Sequence, residues 1–112
     1  MRLREVKEVK LGERKLKMLE KTITNKILKF LKTHPRCFAW KSHGDSFSRA
    51  GIPDIICCIG GKFVAFEVKT PKGKLSKLQE VTIRKIKNSG GMAFKVTSLE
   101  EVQKILREVM LM

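Results

Sequence analysis

The residues of this sequence that are best suited to catalysis are two acids and a lysine: Asp54, Glu67 and Lys69. The acids lie on either side of Gly60-Gly61, a pair that favours a two-residue β-hairpin turn because glycine tolerates positive φ angles. If these glycines form the loop, counting outward places Asp54 directly opposite Glu67, with Cβ atoms about 5 Å apart. Lys69 follows Glu67 by two residues and therefore points to the same side of its strand. The spacing predicts an acid pair and a lysine at the open end of a hairpin.

Two carboxylates at this separation repel each other by roughly 3 kcal/mol when the effective dielectric constant is near 20. Either one stays protonated, or a cation lies between them. A hard divalent ion meets this need, because Mg²⁺ commonly binds one or two carboxylates together with substrate phosphates. A lysine beside it can orient or help deprotonate a water molecule, or stabilise charge on a phosphorane-like centre.

A surface ion-pair cluster at a sheet edge is the alternative explanation of these three residues. The two strands carry apolar residues on both faces, which favours a central, buried hairpin. A buried cluster of charged residues needs a chemical reason, and we therefore favour the functional interpretation.

The chain has 112 residues and a formal net charge of +14 at pH 7. This length suits a single domain, and the charge indicates a polyanionic partner, either nucleic acid or an anionic membrane surface. No stretch approaches the roughly 18 apolar residues of a membrane helix, and no signal-peptide core follows Met1. The three cysteines lack metal-binding spacing and fit small buried side chains in a reducing compartment. We therefore expect a cytoplasmic protein without a membrane partner.

The apolar spacing predicts a first helix over 16–32, ended by Pro35, and a short strand over 37–40. The segment from Ser42 to Gly51 is interpreted as a mobile loop that leads to the hairpin. Residues 1–15 are predicted to form a basic N-terminal arm or a short extra element. Residues 16–112 are predicted to form the catalytic domain.

After the hairpin, Ser76 and Ser98 each stand three residues before a Gln or Glu, the capping-box pattern that begins a helix. The first of these helices runs to about residue 88, and a strand follows over 92–97. Strand 63–69, this helix and that strand form a parallel crossover. The predicted fold class is α/β, in the order αβββαβα, with a single mixed β-sheet flanked by helices.

The order of Asp54, an apolar hairpin and then Glu67-Val68-Lys69 resembles the signature of the PD-(D/E)xK nuclease superfamily. More specifically, the sequence is similar to the VRR-NUC (virus-type replication-repair nuclease) family. The similar segments are Arg49-Ala50-Gly51-Ile52-Pro53-Asp54, Phe66-Glu67-Val68-Lys69, Gly73-Lys74-Leu75-Ser76, Gln79 and Gly90-Gly91. This resemblance covers roughly 16–106 and implies a PD-(D/E)xK nuclease domain with a restriction-endonuclease-like core.

The resemblance also implies a metal-dependent DNA endonuclease that hydrolyses phosphodiester bonds, with Mg²⁺ or Mn²⁺ as its cofactor. Asp54 and Glu67 would bind the ion, with the carbonyl of Val68 as a third ligand, and Lys69 would act on the attacking water. All of these positions match the family pattern, so the resemblance implies an active enzyme.

Two further catalytic residues follow from the resemblance. Glu20 matches an acid that related junction-resolving nucleases place near the metal, although it could simply pair with Lys17 or Lys21. Gln79 matches a glutamine that follows the Glu-x-Lys strand, and it could equally be only the capping partner of Ser76.

Three basic residues flank the site and could hold DNA phosphates: Arg49, Lys72 and Lys74. For each of them, a generic solvated charge is the alternative. Trp40 could stack on an unpaired base, but core or interface packing is the favoured interpretation.

Similarity to archaeal Holliday-junction resolvases implies branched DNA as the substrate and a homodimer as the working unit. The last helix supports a dimer, because it is strongly amphipathic and ends in the apolar residues 109–112. The alternative is that this helix completes the core against helix 16–32. Two alternative functions also stay open: a non-catalytic basic DNA-binding protein, and a nuclease subunit active only within a larger replication, repair or restriction assembly.

Overall fold

The seven elements of secondary structure follow one another in the order that the sequence predicts. The computed structural model describes residues 3–42 and 50–111, with side chains over 10–42 and 50–111. The elements are α1 (Leu3–Thr33), β1 (Cys37–Lys41), β2 (Ile55–Ile59), β3 (Lys62–Val68), α2 (Lys77–Asn88), β4 (Met92–Val96) and α3 (Leu99–Met110). Most of the loop predicted over Ser42 to Gly51, at 43–49, lies outside the described residues.

The antiparallel hairpin of β2 and β3 turns at Gly60-Gly61, as predicted. Ile59 pairs with Lys62, and φ is 55° at Gly60 and 82° at Gly61. A type I′ turn requires positive φ at both central positions, which glycine adopts without strain. The loop therefore fixes the register of the hairpin, and each further pair falls where the sequence count places it.

The four strands form one mixed sheet in the order β1-β2-β3-β4. The pairs β1–β2 and β2–β3 are antiparallel, whereas β3 and β4 run parallel. A parallel pair needs a long crossover connection, and α2 supplies it. The predicted α/β fold with a single mixed sheet flanked by helices is confirmed.

Helices cover the two faces of the sheet differently. α1 and α3 cover one face, where the larger core includes Ile27, Phe66 and Val102. α2 covers part of the other face, where a smaller cluster joins Ile56 and Ile83 with two alanines of the sheet. Within 3–42 and 50–111, no helix is both long and apolar enough to cross a membrane.

α1 begins at Leu3, whereas the apolar spacing predicts a helix that starts near residue 16. The earlier turns are rich in lysine, arginine and glutamate, which have high helix propensity but give no apolar periodicity. The predicted boundary between residues 1–15 and 16–112 therefore falls within a continuous helix. That residues 1–15 act as a separate basic arm stays a prediction.

The predicted caps of α2 and α3 are present, with one difference between them. In α2, the N–H of Gln79 donates to Ser76 Oγ at 3.1 Å, and the N–H of Ser76 donates to Gln79 Oε1 at 2.9 Å. In α3, Ser98 Oγ accepts from the N–H of Glu101 at 3.2 Å, but the Glu101 carboxylate accepts from Thr97 instead of Ser98. Only α2 therefore begins with a complete capping box.

The apolar face of α3 is buried within the chain. Val102, Leu106 and Val109 lie in the same core as Ile27 and Leu31 of α1. Of the two explanations that the sequence offers for this face, the intramolecular one is correct. The amphipathic last helix therefore gives no physical reason for a dimer, and the homodimer itself stays a prediction.

Replacing Leu106 with alanine is expected to lower the free energy of unfolding by about 2–5 kcal/mol, because it leaves a cavity in the core that α3 shares with α1 and the sheet. Leu111 follows α3 and is 87% exposed, so its replacement by alanine should change the same free energy by less than about 0.5 kcal/mol. Urea unfolding of the two variants measures this difference. Similar values for both variants would contradict the burial of α3 within one chain.

Candidate active site

Asp54 and Glu67 lie opposite each other at the open end of the hairpin. The last strand pair is Ile55 with Phe66; Asp54 directly precedes Ile55, and Glu67 directly follows Phe66. The backbone N–H of Val68 donates a hydrogen bond of 2.9 Å to the Oδ2 atom of Asp54. The structure therefore brings together the acid pair that the hairpin register predicts.

The segment that precedes Asp54 lies close to α2. At Gly51 φ is +85°, and a Cβ atom there would lie 2.6 Å from Cγ of Leu78 and 2.9 Å from Oγ1 of Thr82. Glycine is therefore needed both for the backbone conformation and for the close approach to the helix. Pro53 is fully buried. Together these residues fix the backbone that carries Asp54.

Glu67 is buried, with only 3% of its surface exposed. Its Oε1 atom accepts a hydrogen bond of 3.0 Å from Nε2 of Gln79 and lies 3.8 Å from Nζ of Lys69. Within the described residues, the buried Oε2 atom has no hydrogen-bond partner. Burial, and then the charge of Asp54, raise the pKa of Glu67 to about 8, and Lys69 only partly opposes them. The protein alone therefore accommodates this carboxylate poorly.

Gln79 fills both of the roles that the sequence leaves open. Its Oε1 atom accepts the N–H of Ser76 in the capping box, and its Nε2 group donates to Glu67. The cap fixes which end of the amide points toward the sheet, because the oxygen is already used at the start of α2. The helix cap therefore orients a hydrogen-bond donor toward the buried acid.

Lys69 is held by the turn that follows β3. Its backbone N–H donates to the carbonyl of Val96 at 2.9 Å, and the N–H of Gly73 donates to the carbonyl of Thr70 at 2.8 Å. A Cβ atom at Gly73 would lie 3.2 Å from Cβ of Lys69, so glycine allows the turn to fold closely over the lysine. The side chain of Lys69 is mostly buried, and its ammonium group stays near Glu67.

Glu20 lies beside the acid pair and not within it. Glu20 and Asp54 line one cleft of about 240 Å³ between α1 and the end of the sheet. In the ranges 3–42 and 50–111, no three His, Cys, Asp or Glu side chains come together as a metal site. The structure therefore brings Glu20 to the edge of the candidate site, and its catalytic role stays a prediction.

Two of the three predicted DNA-binding residues lie on one exposed turn. Lys72 and Lys74 are exposed on the turn that follows Lys69, so both side chains can reach a phosphate outside the site. Arg49 lies outside the described residues. Contact of these three residues with DNA stays a prediction.

Three lysines that the sequence alone does not single out for DNA binding also lie next to Asp54. Lys17 and Lys21 of α1 and Lys41 at the end of β1 line the cleft that contains Glu20. The helical period contains a signal for the first two, because they fall on the same side of α1 as the buried Thr24. Lys41 could not be found this way, since its approach to α1 depends on how the helix packs on the sheet.

The acid pair has the chemistry of a site for a hard divalent cation. Glu67 contributes a buried acceptor oxygen with no donor in the described part of the chain, and Asp54 presents a second carboxylate across the hairpin. Two carboxylates fit Mg²⁺ or Mn²⁺, which prefer oxygen ligands and complete their shells with water and phosphate. The carbonyl of Val68, next to Glu67 in the chain, is the third ligand we predict.

Replacing Glu67 with glutamine is expected to stabilise the metal-free protein at pH 8. Because the pKa of Glu67 is raised from 4.5 to about 8 in the folded state, the folded protein holds this proton more tightly than the unfolded chain. Stability from this residue is therefore present at low pH and lost as the pH rises toward 8, whereas glutamine has no charge to lose. Thermal unfolding in EDTA should give a higher Tm for Glu67→Gln than for wild type at about pH 8.

The difference in Tm between the two proteins should shrink at about pH 5, where Glu67 keeps its proton in the folded state. Addition of Mg²⁺ at the higher pH should raise the Tm of wild type more than that of the variant. A Tm difference that does not change with pH would contradict the strained carboxylate.

Comparisons with known proteins concern the family and the fold of this chain. The family model of the VRR-NUC domain matches residues 15–99. One solved structure, a VRR-NUC domain protein, is similar with 15% identity and a TM-score of 0.61, over 79% of this chain and 84% of that chain. Another, a VRR-NUC domain, is similar with 21% identity and a TM-score of 0.58, over 83% of this chain and 95% of that chain. No curated protein matches the chain.

The two solved structures support the fold, and the family match spans the segments on which the site is built. Residues 15–99 include the acid pair, Lys69 and Gln79, together with the glycines that position them. The match also covers most of the chain. This protein belongs to the VRR-NUC domain family, which is of nuclease type.

Proposed function

We propose that this protein is a Mg²⁺-dependent DNA endonuclease that hydrolyses phosphodiester bonds in branched DNA, such as Holliday junctions or flaps. The observation that carries the proposal is the buried Glu67 opposite Asp54, with one oxygen atom that no described residue satisfies. Membership of a nuclease-type family supports the same chemistry. A cytoplasmic location is part of the proposal, supported by the free thiols of the three cysteines.

Asp54, Glu67 and the carbonyl of Val68 would hold Mg²⁺, or Mn²⁺ in its place. When bound, the ion supplies Lewis-acid activation of the phosphodiester and lowers the pKa of a water molecule. Lys69, with Nζ 3.8 Å from Glu67 Oε1, is available to orient the attacking water and to stabilise negative charge on the phosphate oxygens. Gln79 fixes the orientation of Glu67 through its hydrogen bond of 3.0 Å.

DNA as the substrate is supported by charge. The net charge of +14 favours a polyanion, and Arg49, Lys72 and Lys74 are our candidates for phosphate contacts. Glu20 is the candidate for an additional acid in the cleft beside Asp54.

A non-catalytic DNA-binding protein is the main competing function. Two opposed carboxylates argue against it, because they repel phosphate and one of them is buried at a cost to stability. A nuclease that cleaves only within a larger replication, repair or restriction assembly would have the same site. Cleavage by the isolated protein separates the first function from these two.

The variants Asp54→Ala and Glu67→Ala are expected to abolish cleavage, because each removes a metal ligand. Their affinity for DNA should be equal to or higher than that of wild type, because a negative charge near phosphate is lost. The variant Lys69→Ala should lose turnover but keep metal binding, since its ammonium group lies beside the ligands. Cleavage of junction, flap, nicked and linear DNA, with and without Mg²⁺, measures the first effect, and calorimetry with Mg²⁺ or Mn²⁺ measures the last.

If either acid variant cleaved DNA at a rate within about threefold of wild type, the assignment of Asp54 and Glu67 as metal ligands would be wrong. Loss of metal binding together with activity in Lys69→Ala would contradict the role given to the lysine. Equal rates of cleavage of all four DNAs would still support a nuclease but would contradict a preference for branched substrates.

A homodimer fits a branched substrate, because symmetric cutting of a four-way junction needs two sites related by a twofold axis. The surface that best suits a second copy is an apolar face on the α2 side of the sheet. Five exposed side chains define this apolar face: Phe38, Trp40, Phe63, Leu78 and Val81. Phe38 lies opposite Cys58, which lies opposite Phe63, so the face is continuous across three strands.

The exposed area of the apolar face supplies part of what a dimer needs. Phe38, Trp40 and Phe63 are 69%, 44% and 45% exposed, which leaves roughly 300 Å² of aromatic surface in water at about 150–250 Å² per ring. Leu78 and Val81 add to it, and a cavity of about 410 Å³ lies between them and Phe63. A stable interface buries roughly 800 Å² per partner, so this patch would form its apolar centre and a polar rim would supply the rest.

Charge also favours the apolar face over the rest of the surface. Two copies of a chain with a net charge of +14 repel each other, and contact is least costly where ionised groups are sparse. Among the described residues that line the cavity in this face, Lys85 alone is charged. Trp40 and Phe38 form an edge-to-face pair outside the core, which agrees with interface packing as the role of Trp40.

The double variant Phe38→Glu/Leu78→Glu is expected to convert a dimer into a monomer of 12.8 kDa, because it buries charge against charge. Leu111→Glu, which changes an exposed leucine beyond α3, is the matched control and should stay dimeric. Light scattering at micromolar concentration measures the mass. If the wild-type protein is a monomer and still cuts DNA, the predicted dimer is wrong. The argument for junction resolution over simple nicking then fails as well.

A further inference from the structure

The side of α1 that faces the sheet is buried near the C-terminal end of the helix and carries charged residues nearer its N-terminus. Over residues 24–31 this face is buried, with Thr24, Ile27 and Leu31 packed in the protein. Toward the N-terminus, the same side of the helix continues with Glu20, Lys21 and Lys17. Where the helix extends past the sheet, this side need not be apolar. It still points the same way, because the buried residues 24–31 fix how the helix is rotated about its axis.

The direction of these lysines differs from that of other lysines on α1. At 100° per residue, Lys17 and Lys21 lie about 20° and 60° from Thr24 around the helix axis. Lys26 and Lys29 lie about 160° and 140° from it, on the side that faces solvent. Lys17 and Lys21 therefore lie on the side of the helix that lines the cleft with Asp54, whereas Lys26 and Lys29 lie on the other side.

A third lysine reaches the same cleft from the sheet. Lys41 is the last residue of β1 and pairs with Ile55, the residue after Asp54. Strand alternation puts Lys41 on the same face as the buried Ala39, which is the face that α1 covers. Lys17, Lys21 and Lys41 therefore line one cleft with Glu20 and Asp54.

The charges of the cleft do not balance. Three ammonium groups from two elements share it with two carboxylates, and Asp54 is also the acceptor of the Val68 N–H. A divalent cation bound to Asp54 would make the cleft still more positive. The three lysines are exposed, so their ammonium groups are free to contact an anion in the cleft, and a phosphodiester is the anion that the neighbouring site would handle.

We propose that Lys17, Lys21 and Lys41 form a phosphate-binding subsite for the DNA strand that is cut, on the α1 side of Asp54. The subsite rests on the proposed function, since it places the backbone of the same strand. Lys72 and Lys74 lie on the turn after Lys69, which follows β3, whereas Lys41 ends β1, on the other side of β2 in the sheet. The strand would thus cross the site from the α1 cleft toward this turn, held by phosphate contacts at both ends.

The three lysines act in this proposal as positioning residues and not as catalytic ones. A phosphate contact outside the reacting bond is equally strong before and in the transition state, so its removal raises KM and leaves kcat nearly unchanged. When such a contact is removed, one counterion fewer is released from the DNA on binding. The slope of log Kd against log salt on duplex DNA therefore falls by about 0.9 for each phosphate that the protein no longer neutralises.

The test compares Lys21→Gln and Lys41→Gln with Lys26→Gln and Lys29→Gln, which remove the same charge from the outer side of α1. DNA binding is measured on one four-way junction and one linear duplex, in EDTA and from about 50 to 200 mM salt. We expect the first two variants to raise Kd about fivefold or more and to reduce the salt slope by about one, and the controls to stay within twofold. Equal effects in all four variants would overturn the subsite.

Further measurements separate the subsite from a structural role and from the proposed function. Lys21→Arg keeps the charge and should bind DNA as wild type does; a loss of affinity as large as that of Lys21→Gln would overturn the proposal. Under Mg²⁺, the Lys21→Gln variant should raise KM with kcat within about twofold, and a fall in kcat alone would also overturn it. If wild type binds DNA but cuts none, the proposed nuclease fails while the difference between inner and outer lysines still tests the subsite.

Discussion

The carboxylate of Glu67 lies inside the protein, across a hairpin from the carboxylate of Asp54. Burial and this second charge both raise its pKa, and the neighbouring groups give only a neutral amide and an ammonium at 3.8 Å in return. Yet the position is fixed: the apolar strands on either side are packed between α2 on one face and α1 with α3 on the other. Moving Glu67 to water would expose that core, so the fold holds this carboxyl group in a position that disfavours its charged form.

Several local features of the chain, at its turns and at a helix cap, act together to hold Glu67 in this position. The positive φ angles at Gly60-Gly61 set the register, and the register alone decides that Asp54 lies opposite Glu67. The capping box of α2 fixes the amide of Gln79 so that a donor faces the acid. At Gly51 and Gly73, a side chain would push the backbone away from Leu78 and Lys69 respectively. Each is a short-range rule of chain geometry, and together they determine the surroundings of one carboxylate.

Short-range rules are also what made much of the fold and site predictable from the sequence. A two-residue turn and strand alternation suffice to count residues into register, and capping patterns suffice to begin α2 and α3. The start of α1 was not predictable in this way, because the charged residues before residue 16 form a helix without apolar periodicity. Amphipathicity shows that α3 buries a face but not against which surface, and only the packing identifies α1 and the sheet. Lys41 and Glu20 share a cleft for the same long-range reason.

The two faces of the sheet present different surfaces near the acid pair, one basic and one apolar, and these suit different partners. The basic cleft lies on the α1 side of Asp54, whereas the apolar face of Phe38, Trp40 and Phe63 lies on the α2 side. Both reach the open end of the hairpin, since the cavity in the apolar face extends to Ala50 and Ile52, shortly before Asp54. If a strand of DNA occupies the cleft and a second copy covers the apolar face, neither blocks the other. Because the hairpin that carries the acids separates the two surfaces, each copy in such a dimer would keep its own cleft and its own acid pair.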